Sequence, residues 1–132
     1  MLTMIYKRGD VALVLFPNAD LRTAKRRPVL IVQADNLGTG LGQTITAMIT
    51  SNLARAGHPS RVFVSLATRE GQQTGLLADS VIMTDNLVTI LEGEIDRKIG
   101  IWSNMAAVDT AIKHTLGIRQ TGRALAQSKN NL

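Results

Sequence analysis

Four basic residues, Arg22, Lys25, Arg26 and Arg27, crowd the segment LRTAKRRP, just before the apolar run PVLIVQ. Further along, TAMITSN sets two hydroxyls side by side, Thr50 and Ser51. Guanidinium and hydroxyl groups together are suited to anions. The planar fork of arginine matches two phosphate oxygens at once, and a threonine hydroxyl adds a further donor. A plainer role for Arg27 stays open: a solvated or register charge paired with Asp10, Asp20 or Asp79. A buried charge left without any partner would cost several kcal/mol, on the order of 3–5.

Other chemistries find little support. With no cysteine among the 132 residues, disulfides and thiolate metal sites are excluded. His58 and His114 are far apart in sequence and neither sits in a ligand-spaced cluster, so no metal site is expected. His58, in AGHPS, reads as a solvated loop residue and only secondarily as a base. GTGLG (residues 38–42) opens no helix and reads as a hairpin turn, not a phosphate loop. No G-x-S-x-G elbow is present. The net charge of +5 favours a polyanion partner, nucleic acid first. Aromatic residues make up only 3% of the chain, which weakens any proposal of base stacking on aromatic platforms.

The elements that would position these groups can be read from periodicity. Hydrophobic residues at 45% provide an aliphatic core for one domain. Residues 10–16 form an apolar strand, and Pro17-Asn18 then signals a turn. Residues 28–33 are apolar on both faces, as in a central strand, with Pro28 at its first position. Residues 43–50 alternate, Ile45, Ala47 and Ile49 against Thr44, Thr46, Met48 and Thr50. Residues 61–66, 80–84 and 87–91 give further short strands. From Met105 the period changes: Met105, Val108, Ile112 and Leu116 recur as one helix face. Ser103 is the expected N-cap, Gly117 the C′ residue, and Asp109 with Lys113 an i,i+4 pair. Many short strands and one terminal helix suggest a small twisted barrel with the helix packed against it.

If the strands beginning at Pro28 and ending at Thr50 form an antiparallel hairpin, their outer ends meet. At a rise of about 3.4 Å per residue the two lengths match. Arg27 and Thr50 would then face one another at one edge of the sheet. The two-sided apolar character of PVLIV further suggests a surplus that a second copy would cover. The N-terminus MLTMIYKRGD lacks the order of a signal peptide and no stretch approaches a membrane span, so a soluble cytoplasmic protein is expected.

The ordered set RGDVALVLFP, KRRPVLIV, TAMITSN and GLLADSVI resembles the MazF/PemK family of toxin endoribonucleases. The matching features are Gly9-Asp10, Arg27-Pro28, Thr50 with Ser51, Gly75 to Val81, and a helix from about Asn104. They span about residues 6–118, a toxin-like domain of residues 1–118 followed by a polar tail of residues 119–132. The first loop, PNADLRTAK, has no glycine where many family members carry one.

The resemblance implies a mostly β, SH3-like barrel of the MazF/CcdB type with a C-terminal helix. It implies a homodimer that cuts single-stranded RNA sequence-selectively, without metal or other cofactor, and is neutralised by a cognate antitoxin. It places the catalytic pair on Arg27 and Thr50. Arg22, Lys25, Arg26 and Ser51 would bind flanking RNA, positioning it without selecting sequence. RNA carries its own nucleophile in the 2′-OH, and in-line attack would leave a 2′,3′-cyclic phosphate and a 5′-OH. Two other readings stay open. One is a non-catalytic basic module of the same fold that binds RNA or protein. The other is a gyrase poison of the CcdB type, against which stands Trp102, placed before the helix and not at the C-terminus.

Overall fold

The computed structural model describes residues 5–119. The strands are β1 (Asp10–Pro17), β2 (Ala24–Ile31), β3 (Gln43–Thr50), β4 (Arg61–Val64), β5 (Ser80–Leu91) and β6 (Ile95–Ile101). They form one sheet in the order β4-β5-β3-β2-β1-β6, and every neighbouring pair is antiparallel. A short helix, α1 (Arg69–Gln72), precedes β5, and α2 (Met105–Leu116) follows β6.

Strand alternation sorts the core into two clusters. Val11, Leu30, Val32, Ala47, Ile49, Val62, Val64 and Ile82 pack with Trp102, Val108 and Ala111, so α2 covers this face. Ala12, Val14, Val29, Ile90 and Ile95 form the second cluster on the other face. Ile90 lies near the end of β5 and Ile95 opens β6, with only the turn Glu92–Glu94 between these strands. Their packing across the second cluster requires the sheet to curl round that face, the barrel expected from the strand count.

The structure revises several local expectations. β2 begins at Ala24, so Lys25, Arg26 and Arg27 lie within the strand and not just before it. Pro28 is its fifth residue. It is tolerated there because the β2–β3 ladder starts only at Val29, leaving the earlier half of β2 paired to β1 alone. Residues 80–84 and 87–91 belong to one long strand, with a register shift in its pairing to β3. β6 was not expected. Its run Asp96-Arg97-Lys98 hides any alternation, and two register shifts against β1 accommodate it at the sheet edge. Residues 38–42 are part of a longer loop and not a tight hairpin turn.

PVLIV needs no second copy to cover it. Val29 and Leu30 are fully buried, and Ile31 and Val32 nearly so, within a single chain. The α2 N-cap is Asn104, not Ser103, and its side chain accepts the N–H of Ala107. Gly117 ends the helix in the left-handed region, as expected. Asp109 pairs with Arg8, whose Nε also donates to the Val32 carbonyl, and not with Lys113. The expected polar tail lies outside the described residues except for Arg119.

Candidate nucleic-acid interface

Arg27 is positioned by the ladder to β1 on one side and lies just beyond the end of the ladder to β3 on the other. It pairs with Val14 of β1, and Val29, two residues on, pairs with Met48 of β3. Continuing that register by two residues sets Arg27 opposite Thr50, where the two side chains share one face. Thr50 in turn pairs with Val81 of β5, and Val81 with Phe63 of β4. One row across the sheet therefore reads Val14, Arg27, Thr50, Val81, Phe63. The next row reads Ala12, Val29, Met48, Met83, Arg61. This is the face opposite α2.

Arg27 is exposed, and none of the ion pairs among the described residues includes it. The carboxylates that were alternatives for it are engaged elsewhere. Buried Asp10 accepts the Lys7 N–H at 2.8 Å and meets Lys98 Nζ at 3.1 Å. Asp20 accepts N–H groups of its own loop, and Asp79 accepts the Leu66 N–H at 2.8 Å. Thr50 is half-buried, and its hydroxyl oxygen accepts the Asn52 N–H at 3.1 Å. That bond fixes the oxygen and leaves the hydroxyl proton to donate outward. Asn52 was not singled out in the sequence; its backbone N–H is what a threonine hydroxyl two residues earlier can bond in a turn.

The other basic residues divide. Lys25 shares the Arg27 face by alternation and is exposed. Arg26 points to the opposite face, where its Nε donates to Asp96 Oδ2 at 3.0 Å. The structure therefore does not bring Arg26 together with Arg27, because an odd step along a strand reverses the side chain. Arg22 is exposed in the β1–β2 loop, and Ser51 is exposed directly after β3. In that loop the Asp20 carboxylate accepts the Arg22 N–H at 2.9 Å and the Thr23 N–H and hydroxyl at 3.1 Å. These bonds, the one from Arg22 foremost, hold the Asp20 carboxyl below its ordinary range. Leu21 takes φ 58° here, the conformation a glycine would adopt without strain.

The histidines, distant in sequence, meet edge to face with ring centroids 6.2 Å apart. His58 Nδ1 accepts the Ser60 N–H at 3.0 Å, and His114 lies on α2. This contact holds His58 against the element on the other side of the sheet from Arg27, which removes it as a base for that pair. Among the described residues no three His, Cys, Asp or Glu side chains gather as metal ligands would. A cavity of about 770 Å3, walled by Tyr6, Gln33, Asn36, Leu41 and Glu92 among others, lies at the opposite ends of β2 and β3 from Arg27 and Thr50. The basic and hydroxylic groups instead lie at the exposed end of the curled face, with Lys25, Arg27 and Ser51 exposed and Thr50 half-buried.

Residues 7–116 match the family described as PemK-like, MazF-like toxin of type II toxin-antitoxin system. The chain is 33% identical over 119 residues to the endoribonuclease MazF6 of Mycobacterium tuberculosis, covering 87% of this chain and 100% of that protein. It is 32% identical over 119 residues to the endoribonuclease EndoA of Bacillus subtilis, covering 87% and 97%. Among solved structures, the Mycobacterium tuberculosis toxin MazF-mt6 superposes with a TM-score of 0.66 at 25% identity, over 84% of this chain and 99% of that one. The fold is also shared, at TM-score 0.66 and 19% identity, with a mycobacterial endoribonuclease solved with its cognate antitoxin, over 87% and 98% of the two chains. Sequence and curled sheet thus lead to one assignment: the chain belongs to the PemK-like, MazF-like toxins of type II toxin–antitoxin systems.

Proposed function

We propose that this chain is a toxin endoribonuclease that cleaves single-stranded RNA sequence-selectively and without metal, through Arg27 and Thr50. The observation that carries the reading is the pairing of Val29 with Met48, whose continuation by two residues would set the exposed Arg27 against Thr50. The names of the relatives, endoribonucleases both, support it.

The chemistry follows from the groups present. The ribose 2′-oxygen attacks the adjacent phosphorus and loses its proton. The bond from phosphorus to the 5′-oxygen breaks, and that oxygen gains a proton. The products are a 2′,3′-cyclic phosphate and a 5′-OH. Charge concentrates on the non-bridging oxygens in the transition state, and oriented donors aimed there can contribute about 3–4 kcal/mol each. The Arg27 fork supplies two such donors and the Thr50 hydroxyl a third. Lys25, Arg22 and Ser51 contact flanking phosphates, and Arg26, held by Asp96, contributes less. The partners proposed are single-stranded RNA, a cognate antitoxin and a second copy of the chain, in the cytoplasm. No helix among the described residues is long and apolar enough to cross a membrane.

The test is a fluorophore–quencher RNA library in EDTA, with wild type beside Arg27→Ala. Cleavage by wild type alone, leaving 5′-OH ends, is expected. RNA bound but left uncut by both proteins would make the chain a binding module of the same fold. Equal cleavage by both would remove Arg27 from the site.

A further inference from the structure

The chain carries one tryptophan, one tyrosine and two phenylalanines. Trp102 is buried in the core under α2, and Tyr6 and Phe16 pack against the second core. Phe63 belongs to neither cluster and is 44% exposed. Its place is not accidental to the sheet: it closes the row Arg27, Thr50, Val81, Phe63 on the face opposite α2. Resting on the proposed ribonuclease reading, we infer that Phe63 is the stacking platform for a base beside the scissile phosphate, and so a residue that sets RNA affinity and specificity.

Geometry supports this. Phe63 stands two strands beyond Thr50, about 10 Å away at the usual strand spacing. That is the span over which one nucleotide extends from its phosphate to the far edge of its base. Val81 between them is fully buried. The row beneath offers the half-buried pair Met48 and Met83, an apolar step beside the ring. Arg61 follows in that row, its Nη2 donating to Asp85 Oδ2 at 3.1 Å and its Nε 2.8 Å from Asp85 Oδ1 without hydrogen-bond alignment. An apolar floor with an aromatic at one end and free cations, Arg27 and Lys25, at the other matches the alternation of base and phosphate in a single strand. A chain poor in aromatics cannot line a groove with rings, but this face needs only one.

The experiment uses a fluorescein-labelled RNA bearing the cut sequence found with the library, made uncleavable by a 2′-deoxy residue at the cut. A matched series replaces each flanking base by an abasic residue. Binding is followed by anisotropy for wild type, Phe63→Leu and Phe63→Tyr. Wild type is expected to lose about tenfold or more in affinity at one abasic position. Phe63→Leu, which keeps an apolar side chain on the strand, is expected to bind intact RNA with that reduced affinity and to ignore the same abasic position. Phe63→Tyr restores both. On cleavable RNA, Phe63→Leu raises KM and spares kcat. Unchanged affinity in Phe63→Leu, full sensitivity to every abasic position, or a fall in kcat at constant KM would each overturn the stacking role alone. A wild type that leaves the RNA library uncut sinks the ribonuclease reading and this inference with it.

Discussion

The register of Val29 with Met48, continued by two positions, sets Arg27 of β2 opposite Thr50 of β3. They stand where the ladder has ended, so each is held by strand geometry on one side and open on the other. Strands place functional groups more tightly than loops do. Thr50→Val keeps the shape but removes the donor, and it also orphans the Asn52 N–H. We expect kcat for RNA cleavage to fall about 10- to 100-fold, the range for a neutral donor to a charged oxygen. Thr50→Ser should recover most of it. Arg27→Lys keeps the charge and loses the fork, with an expected loss of about 100-fold or more. On the proposed reading both groups serve one phosphate, so the double variant should lose less than the product of the two. Strictly multiplicative losses would show that they act on separate groups.

Salt dependence separates the basic residues by face. For single strands the slope of log K against log salt changes by about 0.7 for each phosphate neutralised. Lys25→Ala, on the Arg27 face, is expected to flatten the slope by about that amount. Arg26→Ala removes a charge already opposed by Asp96 on the other face and should leave the slope unchanged. Titrations of an uncleavable RNA between low and moderate salt decide this. Equal slopes for the two variants would contradict the division by face.

The sequence made the candidate edge legible because strand periodicity is strict. β3 was found with its observed limits, and equal lengths on either side of the intervening loop brought Arg27 to Thr50. What it concealed has physical causes. In β2 the exposed half, Ala24 to Arg27, carries no apolar pattern, since only β1 flanks it there. In β6 consecutive charges at an edge mask the strand. The division of the basic cluster follows from that extension of β2, since a turn has no faces and a strand has two. The meeting of His58 with His114 depends on tertiary packing of a loop against α2, for which the local sequence has no signal.

The turn before β5 gives a stability prediction. Gly75 has φ +73°, and a Cβ there would come within 2.1 Å of the Ile99 carbonyl oxygen. β6 also binds this turn through the Ile101 N–H to the Gln73 carbonyl at 2.9 Å. Backbone meets backbone, so nothing can yield cheaply. Gly75→Ala is expected to destabilise the fold by about 3 kcal/mol or more in urea unfolding. Gly57→Ala is the control, because a Cβ at that position meets nothing within 4 Å. Its change should stay within about 0.5 kcal/mol. If both variants unfold at the wild-type midpoint, the close approach of β6 to this turn is wrong.

The β1–β2 loop gives a pH prediction with a definite sign. The Asp20 carboxylate accepts N–H groups from Arg22 and Thr23, which favours its charged form and sets its folded pKa below the ordinary 3.8. A carboxyl depressed on folding contributes order that is fully present above its unfolded pKa. That contribution is lost as pH falls through the lower, folded value. The loop that carries Arg22 should therefore hold its shape from neutral pH down to about pH 4 and loosen only below. A carboxyl-carbon NMR titration, read beside the amide shifts of Arg22 and Thr23, measures this directly. All three signals should move together, with a midpoint below 3.8. In Asp20→Asn, which cannot ionise, the two amide shifts should lose that step. A midpoint at or above the ordinary value, or amides that ignore it, would mean that the carboxylate does not organise this loop.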